Sequence, residues 1–173
     1  MGPVLRIALG FVLLGYLATL GSTASAAAMI KSQAPCVTVN GYCLSFSSAS
    51  SIPIIRSIKF TAPSAGTASV TFHGSMICSN TGDDSRVVDL TSQIVPKSTL
   101  APDPNGPGGL RHAIVLFSRT VGTSDSFSLA STRDFNIAGA GPHNFHFKMQ
   151  KLRMDANTSC YVYNAAFSVL FIP

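Results

Sequence analysis

The sequence contains no glutamate and no tryptophan, and charged residues make up only 11% of its 173 residues. Soluble domains usually carry about 25% charged residues. A disordered chain is polar and strongly charged, and a coiled coil needs abundant Glu, Lys and Leu, so the composition excludes both classes. The 14 glycines and 10 prolines follow no triplet period, which excludes a collagen-like chain. The length fits one domain with a short processed segment.

The first 26 residues have the pattern of a secretory signal peptide. Arg6 is the only charge before Lys31, an uncharged and mostly apolar run extends from Ile7 to Leu20, and Ala24-Ser25-Ala26 offers an Ala-x-Ala cleavage site. The run is short for a membrane span of about 20 residues, and no basic stop follows it. We therefore predict a signal peptide over 1–26, no stable membrane span after its cleavage, and a secreted, periplasmic or cell-surface protein formed by one domain over 27–173.

The predicted mature part contains all four cysteines, and an even number in an exported chain indicates two disulfides. Their separations of 7, 35 and 82 positions argue against a metal thiolate site, because zinc sites use closely spaced pairs. Asn40-Gly41 suits a type I′ turn and predicts a hairpin in which Cys36 lies diagonally from Cys43, at about 7–8 Å. That is too far for a disulfide without twist or fraying at Cys36. We predict Cys36–Cys43 and Cys78–Cys160; Cys36 paired with either of the latter remains the alternative.

Period-two alternation dominates the mature sequence, and strong helical periodicity is absent from it. The clearest strand carries one apolar face: Ala68, Val70, Phe72, Gly74, Met76 and Cys78. The chain ends in a second stripe: Tyr161, Tyr163, Ala165, Phe167, Val169 and Phe171. About nine strands, separated by Gly, Pro, Ser and Asn clusters, predict an all-β fold, an antiparallel and jelly-roll-like β-sandwich. We predict a core in which one strand supplies Phe72 and Met76 and the terminal strand supplies Tyr163 and Phe167.

Two short stretches resemble C1q/TNF-like jelly-roll domains. Phe60-Thr-Ala-Pro-Ser-Ala-Gly66, with the alternating strand after it, is similar to the turn that leads into a strand there, and Phe167-Ser-Val-Leu-Phe-Ile-Pro173 is similar to their closing strand. The resemblance implies a jelly-roll fold, a homo-oligomer such as a trimer, ligand recognition through surface loops and no catalytic residue. Pilus subunits are also exported, small and disulfide-bonded, but their closing strand carries a penultimate Tyr where this chain has Ile172.

Common catalytic motifs are absent from the sequence. Neither G-x-S-x-G nor a glycine-rich phosphate loop occurs, and H-E-x-x-H is impossible without Glu. His143 and His146 form the only close histidine pair, but positions i and i+3 of a strand point to opposite faces. Joint metal binding requires His143 to lie in the turn, with His112 or His73 as a further ligand. We predict no catalytic residue, no metal and no cofactor, with a scattered Ser-His-Asp triad as the alternative.

Two polar loops are the predicted binding regions. Ser79–Ser85 carries Asp83 and Asp84, and the long Pro96–Gly109 segment carries Asp103 and Asn105. Long loops on a rigid sandwich are where recognition usually resides. The basic residues are interpreted as solvated strand faces and not as a nucleic-acid site, because Phe145 and Phe147 alternate with Lys148 and point to the core. These residues are Arg56, Lys59, Arg111, Lys148, Lys151 and Arg153.

The sequence therefore predicts an exported, non-catalytic binding or interaction module that recognises a protein or glycan ligand through its loops and binds no nucleic acid. The first alternative is a structural or self-assembling surface protein of a fibre-like kind. The second alternative is a secreted enzyme of unknown class. Self-association in solution separates the first alternative from the main hypothesis.

Overall fold

The computed structural model of the protein describes residues 28–36, 41–52, 54–118 and 124–173, and within these ranges the chain forms strands and no helix. No helix of this part is long and apolar enough to cross a membrane. The predicted signal peptide lies outside the described residues, so its cleavage and the exported location stay predictions. The strands are β1 (Met29–Ser32), β2 (Leu44–Ser47), β3 (Ile54–Ala62), β4 (Gly66–Asn80), β5 (Arg86–Val95), β6 (Leu110–Leu116), β7 (Ser124–Ile137), β8 (Gly141–Met154) and β9 (Thr158–Ile172).

The strands form two antiparallel sheets. The five-stranded sheet has the order β1-β9-β4-β7, with β2 also paired to β9, and the four-stranded sheet has the order β3-β8-β5-β6. The pairs are nested: β1 and β2 with β9, β3 with β8, β4 with β7, and β5 with β6. A long hairpin whose successive pairs alternate between two sheets is a jelly roll. The predicted fold class is confirmed, whereas kinship with C1q/TNF-like domains stays a prediction.

The core lies between the two sheets. The predicted apolar face of β4 is confirmed, because Phe72, Met76 and Cys78 are fully buried, together with Ala68 and Val70. Burying one such apolar side chain stabilises the fold by about 1.5–3 kcal/mol relative to leaving it exposed. The four-stranded sheet supplies the facing layer: Ile58, Phe60, Val88, Leu90, Ile94, Phe145, Phe147 and Met149.

The terminal strand β9 changes face part of the way along its length. Tyr161 and Tyr163 are partly exposed on the outer side of the five-stranded sheet, whereas Phe167 is buried, as are Ala165, Val169 and Phe171. The prediction that Tyr163 joins Phe167 in the core is therefore wrong. The predicted burial of Phe167 is confirmed.

A β-bulge at Asn164 causes this change of face. Asn164 has a φ of 52°, and the register between β4 and β9 shifts around Gly74, so that β9 carries one extra residue. Because side chains alternate along a strand, one extra residue exchanges the inner and outer sets. A Cβ atom on Gly74 would lie 3.2 Å from the Ala165 Cα and from the Tyr163 carbonyl oxygen. Glycine at this position therefore permits the close approach of the bulged backbone.

Both predicted disulfides are present, with Cα–Cα distances of 5.3 Å for Cys36–Cys43 and 4.0 Å for Cys78–Cys160. The Cys78 and Cys160 backbones lie directly opposite each other on β4 and β9. The Cys36 amide donates to the Ala165 carbonyl and the Cys43 amide to the Val162 carbonyl, so both cysteines flank β9. The centre of the predicted Asn-Gly hairpin, residues 37–40, lies outside the described residues.

Candidate functional site

The loop after β4 is held by Asn80, whose side chain is buried. Its Oδ1 accepts a hydrogen bond from the Gly82 amide at 2.8 Å, and its Nδ2 donates to the Asp84 and Phe117 carbonyls at 2.7 and 2.9 Å. Asp83 and Asp84 are exposed, and the Asp84 carboxylate lies 3.5 Å from the Arg86 guanidinium. The loop is thus ordered, with both predicted carboxylates at the surface.

The Pro96–Gly109 loop is fastened to the four-stranded sheet. Buried Gln93 accepts a hydrogen bond from the Asp103 amide at 3.0 Å and donates to the Pro107 carbonyl at 3.1 Å. Lys148 donates to the carbonyls of Ser98 and Leu100, both at 2.6 Å. The loop therefore folds back along the outer side of this sheet and presents Asp103 and Asn105 to solvent.

The predicted loop residues do not form one site. Asp83 and Asp84 lie next to the start of β5 at Arg86, whereas Asp103 docks on Gln93, seven positions along the same strand. At about 3.3 Å per residue, the two groups are roughly 23 Å apart. Ligand binding by Asp83, Asp84, Asp103 and Asn105 stays a prediction.

The four histidines occupy separate places. His73 projects from the outer side of β4, and the His146 Nδ1 lies 2.7 Å from the Ser57 hydroxyl on the other sheet. Partial burial, with Lys148 nearby, holds the pKa of His146 below its usual range. His143 is also on β8, and its Nε2 is buried without a hydrogen-bond partner among the described residues. No group of three metal-ligating side chains occurs in the described ranges.

His112 and Ser92 form a serine–histidine pair between β6 and β5. The Ser92 hydroxyl lies 2.9 Å from the His112 Nε2, and the imidazole stacks on the Phe127 ring at 5.4 Å. Burial lowers the pKa of His112. Ser92 is fully buried, so its hydroxyl does not face a solvent-accessible cleft where a substrate would sit.

Five of the six basic side chains interpreted above as solvated bind the protein's own oxygen atoms, and Lys151, one of these five, donates to the carbonyls of the Ser47–Ser50 segment. Arg111 makes two hydrogen bonds to the Asp89 carboxylate, at 2.9 and 2.5 Å, and this contact lowers the pKa of Asp89. Arg153 binds the Asp155 carboxylate at 2.9 and 3.1 Å. Two further cations, Lys148 and Arg56, bind backbone carbonyls. Each of these cations therefore holds its strand to the segment that carries the oxygen atom it binds.

The outer side of the five-stranded sheet is uncharged along its middle. The adjacent strands β4 and β9 contain no Asp, Glu, Lys or Arg over their whole lengths. Hydroxyl groups dominate their outward side chains, with a few apolar and aromatic residues. We call this set the neutral face: Thr67, Ser69, Thr71, His73, Ser75, Ile77, Ser79, Ser159, Tyr161, Tyr163, Ser168, Leu170 and Ile172.

One corner of the neutral face exposes apolar side chains. Ile30 of β1 lies directly opposite Leu170 of β9, and Ile172 follows two positions further on the same side. Their exposed fractions are 77%, 38% and 52%. We call Ile30, Leu170 and Ile172 the apolar corner.

The other end of β9 carries aromatic and hydroxyl groups. Tyr42 meets Tyr161 edge-on, with ring centroids 5.2 Å apart, and meets Tyr163 at 6.3 Å. Beside Tyr161 lies a cleft of about 350 Å³, which we call the serine cleft. It is lined by Ser45, Phe46, Ser47, Ser50, Ser159 and Tyr161.

Sequence reasoning missed these tyrosines as surface residues, although the sequence carried a usable indication. The predicted Cys78–Cys160 disulfide places Cys160 on the buried face of its strand, because Cys78 belongs to the apolar face of β4. Positions one and three residues further along a strand point the opposite way. Tyr161 and Tyr163 therefore had to be outward, unless the strand was irregular before them.

No protein-family model and no curated protein matches the chain. Among solved structures, the chain is similar to one from the T13 particle of infectious bursal disease virus, at 12% identity and a TM-score of 0.38, over 83% of this chain and 31% of that chain. It is also similar to a chain of the Gx strain of that virus, at 8% identity and a TM-score of 0.39, over 84% and 32%. This chain spans about a third of those viral chains, and at these TM-scores the likeness carries no conclusion about function.

Proposed function

We propose that this protein is a structural β-sandwich that associates with copies of itself through the apolar corner and the adjoining end of the neutral face, at Thr67 and Ser69. The observation that carries this proposal is the apolar corner, in which three large aliphatic side chains lie exposed side by side at the edge of the neutral face. Burying apolar surface releases about 25 cal/mol per Å². Contiguous exposed apolar patches commonly mark interaction sites.

The chemistry around the apolar corner favours a second copy as the partner. Serine and threonine hydroxyls both donate and accept hydrogen bonds, so a hydroxyl-rich surface is complementary to itself. A two-fold interface brings the same surface of two subunits together, and sheet faces stack about 10 Å apart. Because β4 and β9 carry no Asp, Glu, Lys or Arg, no like charges from these strands meet when two copies face each other.

A second pair of exposed apolar residues is a weaker candidate for the interface. Val115 and Phe117 are 57% and 61% exposed at the end of β6, but they adjoin residues 119–123, which lie outside the described ranges. The cleft beside them also includes Asp125, whose charge is costly to bury in an interface without a partner. None of the three residues of the apolar corner is charged. After the predicted cleavage only Ala27 and Ala28 precede β1, and neither carries a charged side chain next to Ile30.

Sedimentation velocity of the purified exported protein over a concentration series tests this function. We expect the mass to rise above that of one chain with concentration, and Leu170→Lys to raise the dissociation constant at least about tenfold, because a charge is then buried in the interface. Leu152→Lys is the matched control, since Leu152 is 49% exposed on the other sheet. It should associate like the unmodified protein.

Two results of this experiment contradict the proposal. One is a single-chain mass for the unmodified protein at every concentration. The other is association of the Leu170→Lys protein with unchanged affinity. The mass reached at the highest concentrations also tests whether the protein forms the trimer that the C1q/TNF resemblance implies, because a dimer and a trimer differ by the mass of one chain.

A further inference from the structure

The serine cleft combines the exposed part of the Tyr161 ring with several hydroxyl groups, and no side chain in its lining is charged. Its other aromatic residue, Phe46, is buried in the core. Because β2, β9 and β4 are adjacent strands, the side chains of paired residues lie side by side across the sheet. Tyr161 lies between Ser45 of β2 and Ile77 of β4, and Ser159 lies between Ser47 and Ser79. Directly opposite residues are about 4.5–5.5 Å apart, and same-side neighbours along a strand are about 7 Å apart. Serine hydroxyl groups therefore lie on the β2 side of the Tyr161 ring, and Ile77 lies on its β4 side.

We propose that the serine cleft binds a neutral oligosaccharide, with one sugar ring on Tyr161. The C–H face of a sugar is apolar and suits an aromatic ring, while the sugar hydroxyls need partners that both donate and accept. Ser45 provides such a hydroxyl beside the ring. The Ser50 hydroxyl already accepts from the Ser47 amide and donates to the Ser47 carbonyl, and the Ser159 hydroxyl lies 3.1 Å from that of Ser79, so each of these two keeps a lone pair that can accept from a sugar hydroxyl. The cleft, of about 350 Å³, is wide open to solvent, so it would contact one side of an oligosaccharide and not enclose it.

The surroundings of the cleft favour an uncharged ligand. The ammonium group of Lys151 lies behind the cleft wall and donates to the carbonyls of Ser47, Ser48 and Ser50. A lysine ammonium has three N–H donors, so these three carbonyls use its full capacity. An acidic sugar would therefore bring a carboxylate to a cleft that has no free cation in its lining.

Backbone and hydroxyl hydrogen bonds order the wall of the cleft. The Ser47 amide donates to the Ser50 hydroxyl at 2.7 Å, and the Ser50 amide donates to the Ser47 carbonyl at 3.2 Å. The Ser48 amide donates to the Thr158 carbonyl at 3.2 Å, which joins the wall to β9. A site that is ordered beforehand loses less conformational entropy on binding.

This site is separate from the apolar corner, because Tyr161 and Leu170 are nine positions apart on β9. The proposal therefore does not depend on self-association. The Leu170→Lys protein should bind the sugar like the unmodified protein, so that failure of one proposal is distinguishable from failure of the other.

Tyrosine fluorescence gives this site a direct readout. The sequence has no Trp and four Tyr, of which Tyr16 belongs to the predicted signal peptide. The other three are Tyr42, Tyr161 and Tyr163, and all three lie at this end of β9. Titration of the exported protein with maltotetraose, cellotetraose and triacetylchitotriose should give a saturable change in tyrosine emission with at least one of these sugars. Tetragalacturonate, an acidic probe, should bind more weakly.

Four variants locate the binding site. Tyr161→Ala should weaken binding at least about tenfold, whereas Tyr161→Phe keeps the ring and should keep most of the affinity. Ser45→Val removes one hydroxyl and should weaken binding about two- to tenfold. Phe117→Ala, which removes an exposed ring from the other sheet, is the control and should bind normally. Calorimetry measures these affinities, and circular dichroism checks that each variant is folded.

Three results overturn the proposal. The first is the absence of saturable binding for all three neutral sugars. The second is tighter binding of tetragalacturonate than of any neutral sugar. The third is equal affinity of the folded Tyr161→Ala and Ser45→Val proteins and the unmodified protein.

Discussion

The Phe72 ring of the five-stranded sheet stacks on the Phe147 ring of the four-stranded sheet, with centroids 3.7 Å apart and planes inclined by 6°. Both rings are fully buried, and Phe167 meets Phe72 edge-on at 5.2 Å. These three rings connect β4, β8 and β9 at the centre of the sandwich. The two sheets are thus joined by a direct aromatic contact.

Replacing Phe72 should be among the most destabilising substitutions in the protein. Phe72→Ala removes the ring from both contacts and leaves a cavity, so we expect a loss of about 3–5 kcal/mol in the free energy of unfolding. Thr71→Ala is the control: its hydroxyl lies 3.1 Å from that of Thr132 on the outer side, and its loss should cost about 1 kcal/mol. Urea denaturation measures both, and equal losses would contradict the assignment of faces.

The bulge at Asn164 should tolerate glycine and reject a β-branched residue. The φ of 52° is accessible to glycine without strain, so Asn164→Gly should change stability by less than about 1 kcal/mol. Asn164→Val should cost about 1–3 kcal/mol, because valine is strongly disfavoured at positive φ. Thermal unfolding followed by near-ultraviolet circular dichroism measures the effect. A valine variant as stable as the glycine variant would be inconsistent with the bulge.

Lys148 should protect the Pro96–Gly109 loop from proteolysis. Lys148→Met removes the two hydrogen bonds to the Ser98 and Leu100 carbonyls, next to the exposed Lys97. Trypsin should then cleave after Lys97 several times faster, because the loop opens locally more often. Lys59→Met, on the exposed side of β3, is the matched control and should leave this rate unchanged. Mass spectrometry of timed digests identifies the cleavage point.

Stability should decline as the pH falls below neutrality, because burial lowers the pKa of His112. Above the ordinary histidine pKa of about 6.5, both the folded and the unfolded chains hold this side chain neutral. As the pH falls through about 6.5, the unfolded chain takes up the proton first and is favoured. The loss levels off once the pH is below the folded pKa.

Urea denaturation from pH 8 to pH 5 measures this dependence. His112→Gln should reduce the decline, and the remainder includes His146, whose pKa is also lowered. His73→Gln removes an imidazole from the exposed side of β4 and is the control. This variant should lose as much stability between pH 8 and pH 5 as the unmodified protein. An unchanged decline in the His112→Gln protein would refute the assignment.

Alternation along single strands was sufficient to predict the fold class and much of the core. The apolar face of β4 needs only the period of two. The Cys78–Cys160 pair was predicted as the remainder once the Asn40-Gly41 turn had favoured Cys36–Cys43. Tyr163 was misassigned because its face depends on a bulge, and the bulge requires Gly74 of another strand. That pairing is a property of the folded sheet and is not visible in β9 alone.

The hydrogen-bond partners of the basic residues could not be predicted from neighbouring residues either, because those partners lie far away along the chain. Lys148 binds carbonyls about 50 positions earlier in the chain, and Lys151 binds carbonyls more than 100 positions earlier. Nothing in Lys-Met-Gln-Lys-Leu-Arg indicates those partners. The Ser47–Ser50 wall and the ordered Pro96–Gly109 loop could therefore be recognised only in the three-dimensional structure.

The nested pairing of strands has a kinetic consequence. The innermost pair joins Ser92 with Leu110, and the outermost joins Met29 with Phe171, so most pairings connect distant parts of the chain. Such high contact order predicts slow folding. β9 pairs with β1, β2 and β4, so the five-stranded sheet cannot assemble during synthesis until β9 has left the ribosome. In a nascent chain this sheet therefore stays incomplete, and Cys78 lacks its native disulfide partner, until the segment carrying Cys160 is made.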